Sequence, residues 1–159
     1  MLIHNFNLEI SYSQFAVFEP SIKHPFNEWT EPHVEQGFSW REDSACFRSL
    51  IGDGKHSFTV SFNENLPDLY PKSVWAILVP MPLLYGRKFE VASIGDSVSL
   101  AIPFDVNGLM VQFVPPSSNE RASAMIDLIS IFSPRFAILK ADGGLKRTTS
   151  LIKDARPAA

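Results

Sequence analysis

The chain has 159 residues, 45% hydrophobic and 19% charged, which excludes a disordered chain and leaves room for one domain with a sizeable core. Its formal net charge of −3 is unevenly spread: residues 1–80 carry five Lys and Arg against ten Asp and Glu, and residues 81–159 nine against seven. An acidic half argues against direct nucleic-acid binding, which rests on neutralising phosphates with Lys and Arg, and fits a basic partner.

Leu8 to Glu19 predicts a long strand, because Ile10, Tyr12, Phe15, Val17 and Phe18 suit a half-buried pleated surface. After a turn through Pro20 to Pro25, the stretch Trp29 to Phe38 predicts one short helix near residues 30–36. Thr30 is its expected N-cap, Pro32 fits the first turn, and Gly37 can take the left-handed conformation that ends it. Trp29 and Phe38 flank this helix and would pin it to the sheet. Glu19, Glu28, Glu31 and Glu35 stand around it.

Ser39 to Ser44 reads as a polar connection. Ala45 to Ile51 alternates as a strand, Asp53-Gly54 carries the chemistry of a tight turn, and Lys55 to Phe62 alternates with Phe58, Val60 and Phe62 inward. These two strands are expected to pair as a hairpin. Asn63 to Pro71 is turn-rich. Ser73 to Val79 is an unbroken apolar run, predicting a central strand covered on both faces, with Pro80 and Pro82 at its end. Lys88 to Ile94, Ser97 to Phe104 and Leu109 to Val114 read as a three-stranded antiparallel meander, turned at Gly95-Asp96 (type II′) and Asn107-Gly108.

Pro115 to Ala122 is a loop; Ala124 to Phe132 suits strand or helix, and Arg135 to Ala141 a strand. The sum is all-β: an antiparallel β-sandwich or flattened barrel of about eight or nine strands over residues 1–142. Residues 143–159, with Lys146, Arg147, Lys153 and Arg156, read as a flexible basic tail. Met1 to Asn7 lacks the apolar run of a signal peptide, and Val74 to Tyr85 is too short and proline-broken to cross a membrane. With a single cysteine, these features set the expectation of a cytoplasmic protein with no membrane contact.

Catalytic signatures are sparse. The close glycines, Gly52 with Gly54 and Gly143 with Gly144, read as turns, and no Gly-x-Ser-x-Gly elbow occurs. Cys46 sits two residues before Arg48, whose charge on the same strand face would lower the thiol pKa; the competing reading is a small core residue. His4, His24, His33 and His56 show no metal spacing, although His24 and His33 could meet across the loop. The expectation is a protein that is not an enzyme and holds no cofactor or metal.

The segment Ile10 to Phe18, then Trp29-Thr30 and Glu35-Gln36-Gly37-Phe38, resembles the N-terminal signature of the competence protein J family. The likeness continues through the Asp53–Phe62 stretch and the meander to about Val114-Pro115-Pro116, broken by the long Asn63–Ser73 connection. The resemblance implies a bacterial inhibitor of the metal-dependent DNase that admits DNA during competence, or an immunity protein against a toxin with such a nuclease domain. Its partner would then be that DNase or nuclease-domain toxin. A DNase presents a basic cleft to phosphates, so the partner-binding residues expected here are Glu19, Glu28, Trp29, Glu31, Glu35, Glu42 and Asp43, with Trp29 as aromatic anchor. The alternative is a non-catalytic β-sandwich module for a small ligand or a peptide strand added at an edge.

Overall fold

The computed structural model describes residues 2–116, 122–142, 144–145 and 150–158. Among these the chain forms eleven strands and one helix in two packed sheets. A six-stranded sheet has the order β1 (Leu2–Ile10), β5 (Gly54–Asn63), β10 (Ser123–Ile129), β9 (Val106–Val114), β6 (Trp75–Leu83), β11 (Ala137–Ala141). A five-stranded sheet has the order β3 (Phe38–Arg41), β4 (Ser44–Arg48), β2 (Gln14–Phe18), β7 (Lys88–Ser93), β8 (Asp96–Ala101). Helix α1 (Glu31–Gln36) leads into β3. The sandwich expectation is met, with one departure from antiparallel pairing: β5 and β10 run parallel.

The core lies between the sheets and is aromatic at its centre. Phe15 of β2 meets Phe58 edge-on at a centroid distance of 5.0 Å and Phe47 in a stack at 5.6 Å, and Phe113 contacts Trp75 at 5.4 Å. Each such pair contributes about 0.5–1.5 kcal/mol beyond its area burial. β6 is covered on both faces, as its apolar run predicts. Ile77 and Val79 enter the central core, while Leu78 joins Met110 and Ile129 under Leu69, Phe132, Ala137 and Leu139. The outer face of the five-stranded sheet is roofed too: Ile22, Phe26 and Trp29, from the segment after β2, pack on Ala16, Phe18, Cys46 and Ala92.

Several expected connections resolve differently. Leu8 to Glu19 is two strands: Tyr12 and Ser13 take left-handed φ of 55° and 53°, and β1 and β2 on either side belong to different sheets. Ser39 to Ser44 is not merely a connection, since β3 occupies Phe38–Arg41 and pairs with β4. The Asp53-Gly54 turn joins no hairpin: β4 pairs with β2 and β3, β5 with β1 and β10, so the chain crosses there between sheets. The meander fails at its second turn. β7 and β8 pair, around Ile94-Gly95 rather than Gly95-Asp96, but Asn107-Gly108 lies inside β9, which belongs to the other sheet. Pro80 and Pro82 lie within β6, where the register with β9 slips between Pro80 and Leu83, because proline has no N–H to give the ladder.

Gly108 serves close packing instead of a turn. A Cβ built there would sit 2.3 Å from Cγ of the Phe132 ring. Gly108→Ala should therefore cost ~1–3 kcal/mol, the usual penalty of overpacking. Urea denaturation checks it, and an unchanged midpoint would show that Phe132 yields freely.

Candidate functional site

The short helix is specified locally. Thr30 is the extended N-cap, Pro32 occupies the first turn, and Gly37 closes the helix at φ 83°, its N–H bonding back to His33 O and Val34 O. The N3 residue completing the capping box is His33: Nδ1 accepts the Thr30 N–H at 3.0 Å, and Nε2 lies 3.0 Å from Asp154 O. With Nδ1 accepting, Nε2 carries the proton and donates to that carbonyl. Buried Gln36 grips the same C-terminal stretch through both ends of its amide: Nε2 donates to Phe38 O and Ile152 O, and Oε1 accepts the Ile152 N–H, each at 2.9 Å.

The stretch expected as a mobile basic tail is held at many of its described residues. Glu28 N–H donates to Arg156 O and Ala158 N–H to Phe26 O, both at 2.8 Å, with Asn27 bridging Pro157. Leu145 is buried in the central core and Leu151 packs against it, while the Lys153 ammonium lies 5.7 Å over the Phe136 ring. The basic residues Lys146 and Arg147 lie outside the described residues.

The expected partner-binding residues fall into two groups around the five-stranded sheet, on its covering segment, on the helix and in the β3–β4 turn. Glu19, Glu42 and Asp43 gather where β2 ends and β3 turns into β4, joined by the bond from Glu19 N–H to Asp43 O at 3.2 Å. The Glu19 carboxylate is held by the N–H and the hydroxyl of Ser21. Glu19 and Asp43 line a cleft of about 360 Å³ with Leu83, Leu84 and Arg87. Trp29, Glu31 and Glu35 lie towards the other end of the same sheet, Glu28 between. Trp29 donates its indole N–H to Gln14 Oε1 at 2.9 Å at the start of β2. The length of β2 and β4, about 13 Å at ~3.3 Å per residue, separates the groups. Trp29 is half-buried as a pin for the cover and contacts His33 edge-on.

Among the described residues the one ion pair is Lys140–Asp142, at the end of β11 in the six-stranded sheet. Two arginines bonded to the covering segment and the helix are committed to neutral acceptors. Arg41 donates to Asn27 Oδ1 at 2.6 Å and to His24 O. Arg48 donates to Val34 O and Gly144 O and lies 4.7 Å over the Trp75 ring. Glu31, Glu42 and Asp43 project exposed, whereas Glu35 is half-buried and has an interaction of its own.

The chemical candidates separate from this surface. Cys46 is fully buried beneath the cover, its sulfur accepting the Asn27 N–H at 3.3 Å. Burial pushes its pKa from 9.0 up to about 11. The expected help from Arg48 is absent, because that guanidinium is drawn to Trp75 and two carbonyls. His24 is exposed while His33 is buried with both ring nitrogens engaged, so the two form no pair. Among the described residues no group of three or more His, Cys, Asp and Glu could hold a metal ion. Sequence reasoning missed the gripping role of His33 and Gln36, whose partners lie 121 and 116 residues away.

Two outcomes follow. Gln36→Ala strips partners from the Phe38 and Ile152 carbonyls and the Ile152 N–H, and should cost ~1–3 kcal/mol in denaturant unfolding. The Cys46 thiol should resist alkylation at pH 8 until the protein unfolds. Its folded pKa is raised, so its stability contribution is full below about 9 and is lost as pH climbs towards about 11. Denaturant titrations should show a loss of about 2–3 kcal/mol across that window that Cys46→Ala lacks.

The family model of competence protein J matches residues 7–132, passing beyond Pro116, where the likeness was expected to end. A solved structure from Bacillus subtilis, described as ComJ, inhibitor of the DNA degrading activity of NucA, is 22% identical, covering 82% of this chain and 100% of its own at a TM-score of 0.66. No curated protein matches the chain.

Proposed function

The chain belongs to the competence protein J family, and from that premise we propose that it is an immunity-type protein inhibitor of a metal-dependent nuclease, either one that admits DNA during competence or a toxin domain of that kind. It acts by occlusion, setting carboxylates against the basic cleft that would otherwise receive DNA phosphates. The observation that carries this reading is the acidic surface around the five-stranded sheet, with Glu19 and Glu28 on the covering segment, Glu31 on the helix and Glu42 and Asp43 in the β3–β4 turn, while Arg41 and Arg48 are turned to neutral acceptors. Such a field speeds association and rejects acidic competitors more than it deepens affinity. Glu35 and the half-buried Trp29 belong to the margin of the contact, where the helix meets the cover.

This reading treats residues 1–142 and the described part of the C-terminal stretch as one working body, because the helix carrying Glu31 is held by Asp154 and Ile152. It assigns the protein no catalytic step of its own. Its place of action is the cytoplasm, in keeping with a chain in which no described helix is long and apolar enough to span a membrane.

A nuclease assay with the cognate DNase tests the proposal. The triple reversals Glu19→Lys, Glu42→Lys, Asp43→Lys and Glu28→Lys, Glu31→Lys, Glu35→Lys should each weaken inhibition. A carboxylate fully desolvated in the complex contributes ~2–5 kcal/mol, and one at the rim changes mainly the salt-dependent on-rate. If both triple variants inhibit like the parent, the acidic surface is not the site.

A further inference from the structure

β1 closes one side of the six-stranded sheet, and among the described residues no strand pairs with its outer side. Its register with β5 is unbroken from Leu2–Phe62 to Ile10–Gly54. The Glu9 N–H points away from β5, since it donates to the Asp96 carboxylate of β8 at 2.8 Å. Backbone direction alternates along an antiparallel strand, so the N–H and C=O groups of Ile3, Asn5 and Asn7 also point outward. They form a row of free ladder positions ended at Glu9 by Asp96. Proteins usually blunt such edges with lysine, proline, bulges or brevity. β11 has Lys140 and a register shift at Ile138–Lys140, and β3 is four residues long. β1 is nine residues long, has no proline, and carries no Lys, Arg, Asp or Glu before Glu9. Leu2 and Ile3 near its start are 47% and 50% exposed.

We propose that β1 is a self-association edge: two copies of this chain pair antiparallel through Ile3 to Asn7 about a two-fold axis at Asn5, joining their six-stranded sheets. Charge selects this occupant. The basic partner of the acidic surface finds no carboxylate between Leu2 and Leu8, whereas a second copy brings no like charge against this edge. The amide at the axis is its own complement. Asn5 Oδ1 accepts the Thr59 hydroxyl at 2.9 Å, leaving a lone pair and both Nδ2 hydrogens for the facing Asn5. The register is also selected. With Asn5 opposite Asn5, Ile3 faces Asn7, so every free outward group from Ile3 to Asn7 is used. A shift placing Ile3 opposite Glu9 would meet an N–H already taken by Asp96. The contact is isologous, with the same strand serving both copies.

Light scattering after gel filtration, on the full chain over a concentration series, tests this. The parent should pass from 17.8 kDa towards twice that mass. Asn5→Lys and Asn5→Glu should each stay monomeric at concentrations where the parent is a dimer, with unchanged thermal melting as the check on folding. Mixing the two variants in equal amounts should restore the doubled mass, because opposite charges then meet at the axis. A parent that remains at 17.8 kDa throughout, or an Asn5→Lys variant that dimerises like it, overturns the proposal. A monomeric parent whose nuclease affinity falls on Asn5→Lys also overturns it, and assigns the edge to a strand of the nuclease. Since mass is read without any nuclease, failure here is separate from failure of the inhibitor reading.

Discussion

The structure turns on a corner that two non-glycine residues hold in left-handed backbone. Tyr12 and Ser13 send the chain from the end of β1 in one sheet to the start of β2 in the other, and bonds from distant segments fasten that bend. Ser93 Oγ accepts the Ser11 N–H at 2.8 Å and donates its one hydrogen to Gln14 O at 2.8 Å, with Ser11 O also within reach at 3.1 Å. Asp53 Oδ1 accepts the Ser13 N–H at 2.7 Å, and Ser13 O accepts the Ser49 N–H at 2.8 Å. The second crossing, from β4 to β5, is thereby tied to the first. Left-handed φ in residues bearing a Cβ costs roughly 1–2 kcal/mol each, and the surrounding bonds supply what offsets it. Once both crossings are set, Phe15 and Phe58 face each other across the gap, and the aromatic core can form.

This corner also explains what could and could not be read in the sequence. Alternation reports which face of a strand is buried, so Phe58, Val60 and Phe62, the pair Phe89 and Val91, and the two-sided burial of the Val74–Val79 run were all legible. Turn chemistry reports only that the backbone reverses. Asp53-Gly54 has that chemistry, yet the reversal leads to a strand of the opposite sheet, because its Asp53 carboxylate is committed to Ser13 rather than to closing a hairpin. Asn107-Gly108 misled for another reason: the glycine is required by the Phe132 ring standing over β9, a contact between residues far apart along the chain. Ser39 to Ser44 looked polar because serine and arginine there serve the cover, through Ser39 Oγ to Glu28 O and Arg41 to Asn27.

The helix was legible for the opposite reason: its capping residues, Thr30, Pro32 and Gly37, lie within eight positions of one another. What the helix leans on was not. His33 and Gln36 have the composition of a solvated turn, and nothing nearby in sequence reveals that they bond Asp154 and Ile152. The acidic residues shared this limit. Their number was visible, but their division into a Glu19–Glu42–Asp43 end and a Glu31–Glu35 end follows from the segment running the length of β2 before the helix begins.

The placing of the arginines decides whether this acidity reaches solvent as a field. Arg41 and Arg48 are bonded to the covering segment and the helix, and a simple count of charges would let them cancel two carboxylates. Each instead spends its donors on carbonyls: His24 O for Arg41, and Val34 O and Gly144 O for Arg48. A guanidinium suits this work because its planar fork bonds several acceptors while its face lies on Trp75. These two positive charges are thus set against neutral acceptors, and among the described residues neither forms an ion pair with the exposed Glu31, Glu42 or Asp43. The acidity of this surface therefore depends on where Arg41 and Arg48 are engaged as well as on the number of glutamates.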